Sequence, residues 1–191
     1  METKDAIIGR RSIRKYADRP ISDADLQDII IAGLYAPSAI DLQPWYFVVI
    51  KSDEKLADLR SFMSGVWDRI EPSMTQRFAN HPAVVAETKV FLKSLGGAQC
   101  CVLVFMLRQD YPDMRIAMEG VCAAVQNMLL MAYDRGIGSC WMTAPIGAGM
   151  DEDLRLKYAP EKGGFVAAVT LGYPAQNPKA PRRKEGRYEI I

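Results

Sequence analysis

The chain has 191 residues, with 24 Lys and Arg against 23 Asp and Glu, a net charge of +1, and 49% hydrophobic and 25% charged residues. That balance describes one globular domain over residues 1–191 with enough apolar content for a core, and it lacks the positive charge that nucleic-acid binding requires. The start, Met1-Glu2-Thr3-Lys4-Asp5, has no apolar stretch behind it of the kind a secretory leader needs, and the apolar runs read as too short to span a membrane. Cys100, Cys101, Cys122 and Cys140 stand among apolar neighbours without metal-ligand spacing. They are expected to be buried thiols rather than zinc ligands or disulfides, in a cytoplasmic compartment.

The first distinctive stretch is Gly9-Arg10-Arg11-Ser12-Ile13-Arg14-Lys15-Tyr16. Guanidinium groups present paired donors that match phosphate oxygens, and a serine hydroxyl can complete the shell. The stretch therefore predicts a phosphate clamp for one small phosphorylated ligand. On a helical or turn backbone Arg10 and Arg14, four apart, share a face while Ile13 and Tyr16 pack inward. The alternative is a solvated basic face.

Ser22-Asp23-Ala24-Asp25 is a capping-box variant, and Leu26, Ile29, Ile30, Gly33 and Leu34 follow at helical spacing until Pro37. A loop rich in turn formers, Pro37 to Trp45, leads into the apolar strand Tyr46 to Ile50. Polar groups held between two rigid elements make it a plausible ligand platform. Ser52 caps a second helix with Leu56, Leu59, Phe62, Met63 and Val66 on its apolar side. From Trp67 to Gln99 no period is clear. Met63, Trp67, Met74 and Phe78 read either as core or as a flexible lid over a flat substrate. The only histidine, His81, lies in Asn80-His81-Pro82; it reads as a turn residue without partners for catalysis.

Cys101 to Leu107 predicts a buried strand after Gly96-Gly97. Met118, Val121, Cys122, Val125, Met128, Leu129 and Ala132 form a broad helical stripe closed by Gly136, which suggests a central helix buried on several sides or at a dimer interface. Gly136-Ile137-Gly138-Ser139 is a turn between helix and strand, the wrong order for a dinucleotide fingerprint. Asp151 to Tyr158 predicts a short helix, and Phe165 to Pro174 a last strand. The whole reads as an α+β sandwich, helices on a mixed sheet of about four to five strands.

The R-x-S-x-R-x-Y start, followed by the P-S-x-x-x-x-Q-P-W loop at Pro37 to Trp45, resembles the nitroreductase family of FMN-dependent oxidoreductases. The resemblance covers nearly the whole chain, least so residues 67–99. It implies an intertwined homodimer with FMN at the interface and NADH or NADPH as co-substrate. It also implies ping-pong reduction of a small electron-poor acceptor such as a nitroaromatic or quinone. On that resemblance Arg10, Arg11, Ser12 and Arg14 surround phosphate and ribityl. Pro37, Ser38, Ala39, Asp41 and Gln43, arriving from the partner subunit, border the flavin. Met142, Thr143 and Ala144 neighbour its polar edge. Asp41 stands where asparagine is often found, and a carboxylate cannot donate as an amide does.

The tail, residues 174–191, is expected to be extended, because prolines punctuate Pro178-Lys179-Ala180-Pro181-Arg182-Arg183-Lys184. A disordered solubilising tail is one reading. The resemblance implies another: Arg182 and Arg183 complete the phosphate shell while Tyr188, Ile190 and Ile191 grip the partner. No catalytic side chain and no metal are expected, since flavin chemistry requires neither. Two other functions are compatible with the same motifs: a flavin storage or sensor module, and a reductive dehalogenase or flavin-fragmenting enzyme.

Overall fold

The computed structural model describes residues 1–191. Along the chain, α1 (Thr3–Gly9) and α2 (Asp23–Leu34) precede β1 (Trp45–Ile50). The helices α3 (Asp53–Arg77) and α4 (Pro82–Ser94) lead to β2 (Cys100–Met106), and α5 (Met114–Asp134) leads to β3 (Gly138–Met142). The short α6 (Ala144–Gly147) and α7 (Asp151–Tyr158) then lead to β4 (Phe165–Gly172).

The four strands form one sheet in the order β1-β2-β4-β3, with every neighbouring pair antiparallel. The expected mixed sheet is thus corrected: the one parallel pairing is an isolated bridge between Ser12 and Ser139. The connections explain the direction. A single helix between two strands returns the chain parallel, but α3 and α4 pack on each other as a hairpin, and two helices bring β2 back antiparallel to β1.

Both faces of the sheet are covered, which is why β2 is apolar without alternation. Cys101, Leu103 and Phe105 face one way, into a core shared with Leu59, Met63 and Trp67 of α3, Phe91 of α4 and Leu154 of α7. Cys100, Val102, Val104 and Met106 face the other way, into a second core with Ile29 of α2 and Val121, Val125 and Met128 of α5. Successive strand residues point to opposite faces, so one run of seven serves two layers.

Helix starts are set by side-chain caps: Ser22 accepts from the Asp25 N–H and Ser52 from the Lys55 N–H. Gly136, at φ +69°, follows the end of α5 in the left-handed conformation, as expected of a helix-terminating glycine. Taken whole, α5 is long and apolar enough to cross a membrane by length and composition, contrary to the reading of its runs as too short. Its buried stripe from Ala117 to Ala132 packs against the sheet and α2, so the apolarity belongs to a core helix. The stretch without clear period is the α3–α4 hairpin. Met63 and Trp67 are fully buried there, Met74 and Phe78 half-buried, and His81 is exposed just before Pro82 opens α4.

Burial pushes the Cys100 thiol up to about 12 and holds Cys101 well above its ordinary value, while Cys140 is raised for the same reason. Only the thiolate reacts with disulfide reagents. In the native protein Cys100, Cys101 and Cys140 are therefore expected to resist such a reagent at neutral pH and to react after denaturation. Reagent-accessible thiols counted with and without guanidinium test this.

Candidate flavin-phosphate site

The clamp is extended rather than helical. Arg10 sits at φ −58°, ψ 144°, and both Ser12 and Tyr16 make strand-type bridges, to Ser139 and Pro174. The expectation that Arg10 and Arg14 share a helical face is corrected accordingly. Alternation on an extended backbone puts Ser12 and Arg14 on one side, bounding one cleft, while Arg10, just past α1, bounds another with Arg11. Arg11 turns back instead, its Nη1 donating to the carbonyls of Ile8 (2.7 Å) and Arg10 (2.5 Å) at the end of α1.

Backbone bonds fix the clamp to the sheet. The Ile13 N–H donates to the Ser139 carbonyl (2.9 Å) and the Tyr16 N–H to the Gly96 carbonyl (2.9 Å). The Tyr16 hydroxyl donates to the Ile13 carbonyl (2.6 Å), which leaves the Thr170 hydroxyl, 2.8 Å away, as donor to it. Burial pushes the Tyr16 phenol far above its ordinary value, so it stays neutral. Two glycines make the approach possible. Gly96 has φ +65°, and a Cβ there would lie 2.2 Å from the Arg14 carbonyl oxygen; a Cβ on Gly172 would lie 2.8 Å from the Tyr16 ring.

The resulting charge is uncompensated. Arg10, Arg14 and Lys15 have no carboxylate within ion-pair distance, whereas Arg135 holds Asp28 at 2.6 Å and Lys157 holds Asp58 at 2.6 Å. The Arg10 Nε is buried with no acceptor. Buried donors are almost always satisfied, so this orphan calls for an anionic acceptor. Two clefts flank the clamp. One, of about 170 Å³, is bounded by Arg10, Arg11, Tyr133 and Gly136 to Ser139. The other, of about 630 Å³, is bounded by Ser12, Arg14 and Lys15, by Glu87, Val90 and Phe91 of α4, and by Gln176 to Pro178. The same three tail residues also bound the first cleft. The lid alternative covered α4 and the tail reading covered Gln176 to Pro178, but neither picked out these residues. A helix face and an amide pair after a strand carry no pattern that marks them in sequence.

The other expected site residues divide into two groups. Ser139 touches the clamp, and the end of β3 lies three residues on, about 10 Å away at strand rise. Met142 is buried there, Ala144 half-buried and Thr143 exposed, so this edge and the clamp share one side of one chain. The loop from Pro37 to Gln43 does not. Its Ser38 packs where a Cβ on Gly120 of α5 would be 3.2 Å away, while Gly9, at the clamp, packs on Tyr133 of the same helix. The thirteen-residue step from Gly120 to Tyr133 spans about 20 Å.

Within the loop, Ile40, Asp41 and Gln43 have φ of 43°, 56° and 41°. Left-handed conformations in non-glycine residues, one of them β-branched, are strained and cluster at functional sites. The Gln43 N–H donates to Ser38 Oγ (3.0 Å) and its side-chain amide to Asp41 Oδ1 (2.8 Å). Asp41 thus works as an acceptor, a role a carboxylate can fill. Pro37 and Ala39 flank Ser38 in the same turn. Arg182 and Arg183 are exposed in the tail and bound neither cleft; Arg182 pairs with Glu185 at 2.9 Å.

The family model described as the nitroreductase family matches residues 7–173, from the clamp to the end of the sheet. The chain belongs to the nitroreductase family. Among solved structures it resembles a nitroreductase with bound FMN from Bacteroides fragilis, at 26% identity and a TM-score of 0.79, covering 100% of this chain and 99% of that one. It is 33% identical to an Archaeoglobus fulgidus protein named for NADH dehydrogenase and NAD(P)H nitroreductase activity, over 88% of this chain and 83% of that one. It is 29% identical to the NADPH-flavin oxidoreductase of Vibrio harveyi, over 95% of this chain and 69% of that protein.

The nitroreductase fold accordingly depends on close packing beneath the clamp. Gly172→Ala is expected to destabilise the protein by about 1–3 kcal/mol, because the new methyl overlaps the Tyr16 ring. Urea unfolding measures it, and an unchanged midpoint would show that Tyr16 moves freely.

Proposed function

We propose that this nitroreductase is an FMN-dependent NAD(P)H oxidoreductase that works as a homodimer. The carrying observation is the clamp: a buried, partnerless Arg10 Nε in one cleft and Ser12 and Arg14 in the adjoining one, with none of these arginines in an ion pair. One compact phosphate site without a pyrophosphate loop suits FMN better than FAD. The FMN bound by the Bacteroides fragilis relative supports the same choice.

The chemistry supplied by FMN is two-electron exchange, with NADH or NADPH as donor and a nitroaromatic or quinone as acceptor, in ping-pong order. The chain's own residues bind and orient. Arg10, Ser12 and Arg14 hold the phosphate, with Arg11 buttressing Arg10 from behind, and Met142, Thr143 and Ala144 border the ring. No side chain is assigned a proton-transfer step, since the single histidine is exposed in a turn between α3 and α4.

A distance supports the homodimer reading. In one chain the loop from Pro37 to Gln43 lies about 20 Å along α5 from the clamp. It reaches a flavin held there when it comes from a second copy. Around the loop, Ile31, Leu34, Tyr35 and Ile40 are exposed, an apolar group suited to burial between subunits. The exposed Tyr188, Ile190 and Ile191 are assigned to the same interface, and Arg182 and Arg183 to the phosphate shell once the tail docks. Within residues 67–99, the exposed side of the end of α3 and of α4 serves as the lid, all within a single domain, and the free thiols, three of them buried, suit a cytoplasmic setting.

The purified protein is expected to be yellow and to release FMN on denaturation, and to oxidise NADH or NADPH when an acceptor is added. A colourless protein that takes up no added FMN would overturn the reading. Arg14→Ala is expected to weaken FMN binding about ten- to a hundredfold, the value of one charge-assisted contact, and Lys15→Ala much less. Flavin fluorescence titration compares them, and equal small effects would favour a solvated face. Truncation after Pro178 is expected to lower both FMN affinity and dimer stability, read by the same titration and by sedimentation.

A further inference from the structure

The segment after β4 doubles back along the clamp. The Ala17 N–H donates to the Tyr173 carbonyl (2.8 Å), the Ala175 N–H donates to the Lys15 carbonyl (2.9 Å), and Tyr16 bridges Pro174 antiparallel. Each pairing obeys one register, and continuing it sets Gln176 opposite Arg14 and Pro178 opposite Ser12. The clefts agree: Gln176 and Pro178 bound the space that Ser12 and Arg14 bound. Gln176 and Pro178 are half-buried while Asn177 and Lys179 are exposed, the alternation of an extended strap lying against the clamp. Directly opposed residues on paired antiparallel strands are side-chain neighbours.

We infer that Gln176 is a binding residue of the flavin site, contributed in cis by this strap and acting beside Arg14 on the phosphate and ribityl part of the ligand. The inference rests on the FMN reading above. A glutamine side chain carries a donor pair and an acceptor on one amide, at the end of a longer stem than asparagine's. Its oxygen can accept from the Arg14 guanidinium, which has no carboxylate partner, and its NH₂ can donate to a phosphate oxygen or ribityl hydroxyl. The guanidinium is steadied without being neutralised. A carboxylate at the same place would pair with Arg14 and repel the phosphate. The strap needs no docking of the distal tail, because its two backbone bonds form within the subunit.

The test is FMN titration of the apoprotein by flavin fluorescence, with far-UV circular dichroism to confirm folding. Gln176→Ala is expected to bind FMN about three- to tenfold more weakly, the range of one neutral hydrogen bond. Gln176→Glu, nearly identical in shape, is expected to lose more than tenfold, because its charge falls beside the phosphate. If both folded variants bind like the parent while Arg14→Ala loses affinity, the FMN reading stands and the role of Gln176 is wrong. If the parent itself takes up no FMN, the reading and this inference fall together.

Discussion

Everything at the candidate site depends on how closely the clamp backbone lies on the sheet. Ile13 bonds to Ser139 and Tyr16 to Gly96, and beneath Tyr16 there is no room for even a methyl on Gly172. A phosphate site needs donors held in place before the ligand arrives, because ordering flexible arginines afterwards costs affinity. Here folding orders the backbone that carries them. Tyr16, neutral and doubly bonded between Ile13 and Thr170, ties the clamp to β4 through a side chain while the strap after β4 ties it through backbone.

The same sheet separates tasks. One core, under α3, α4 and α7, lies behind the wide cleft, and the other, under α2 and α5, carries the loop and the far end of the helix. Because one face of α5 is packed on the sheet and α2 from Ala117 to Ala132, it acts as a rigid spacer between clamp and loop. A site divided between its two ends cannot be closed by bending one chain. In the proposed homodimer it would be closed by symmetry, with each copy giving its loop to the other.

Elements were legible in the sequence where burial wrote a period. β2 and α5 stand out because covering on both sides leaves little for polar residues to do, and the capping serines mark the starts of α2 and α3. Strand direction was not legible, since an alternation of strands and helices does not say whether one helix or a hairpin intervenes. The last turns of α3 are polar around Pro72 and hide a helix that continues to Arg77. At the site, residue types suggested a phosphate clamp and missed the backbone: extended spacing of two keeps Ser12 with Arg14, while Arg10 bounds the narrower cleft. Gln176 was invisible because its importance comes from register with residues more than 160 positions earlier, which only pairing reveals.

The strained turn at Ile40, Asp41 and Gln43 has a thermodynamic consequence. Each such residue costs of order 1–3 kcal/mol, and Ile40 is 81% exposed in its own chain, so its side chain offers little there to offset that cost. In the proposed dimer, strain offset by contacts with the second copy would tie folding to association by mass action. The melting temperature would then rise with the protein's own concentration, and dilution alone would loosen the turn before any element of the sheet is disturbed.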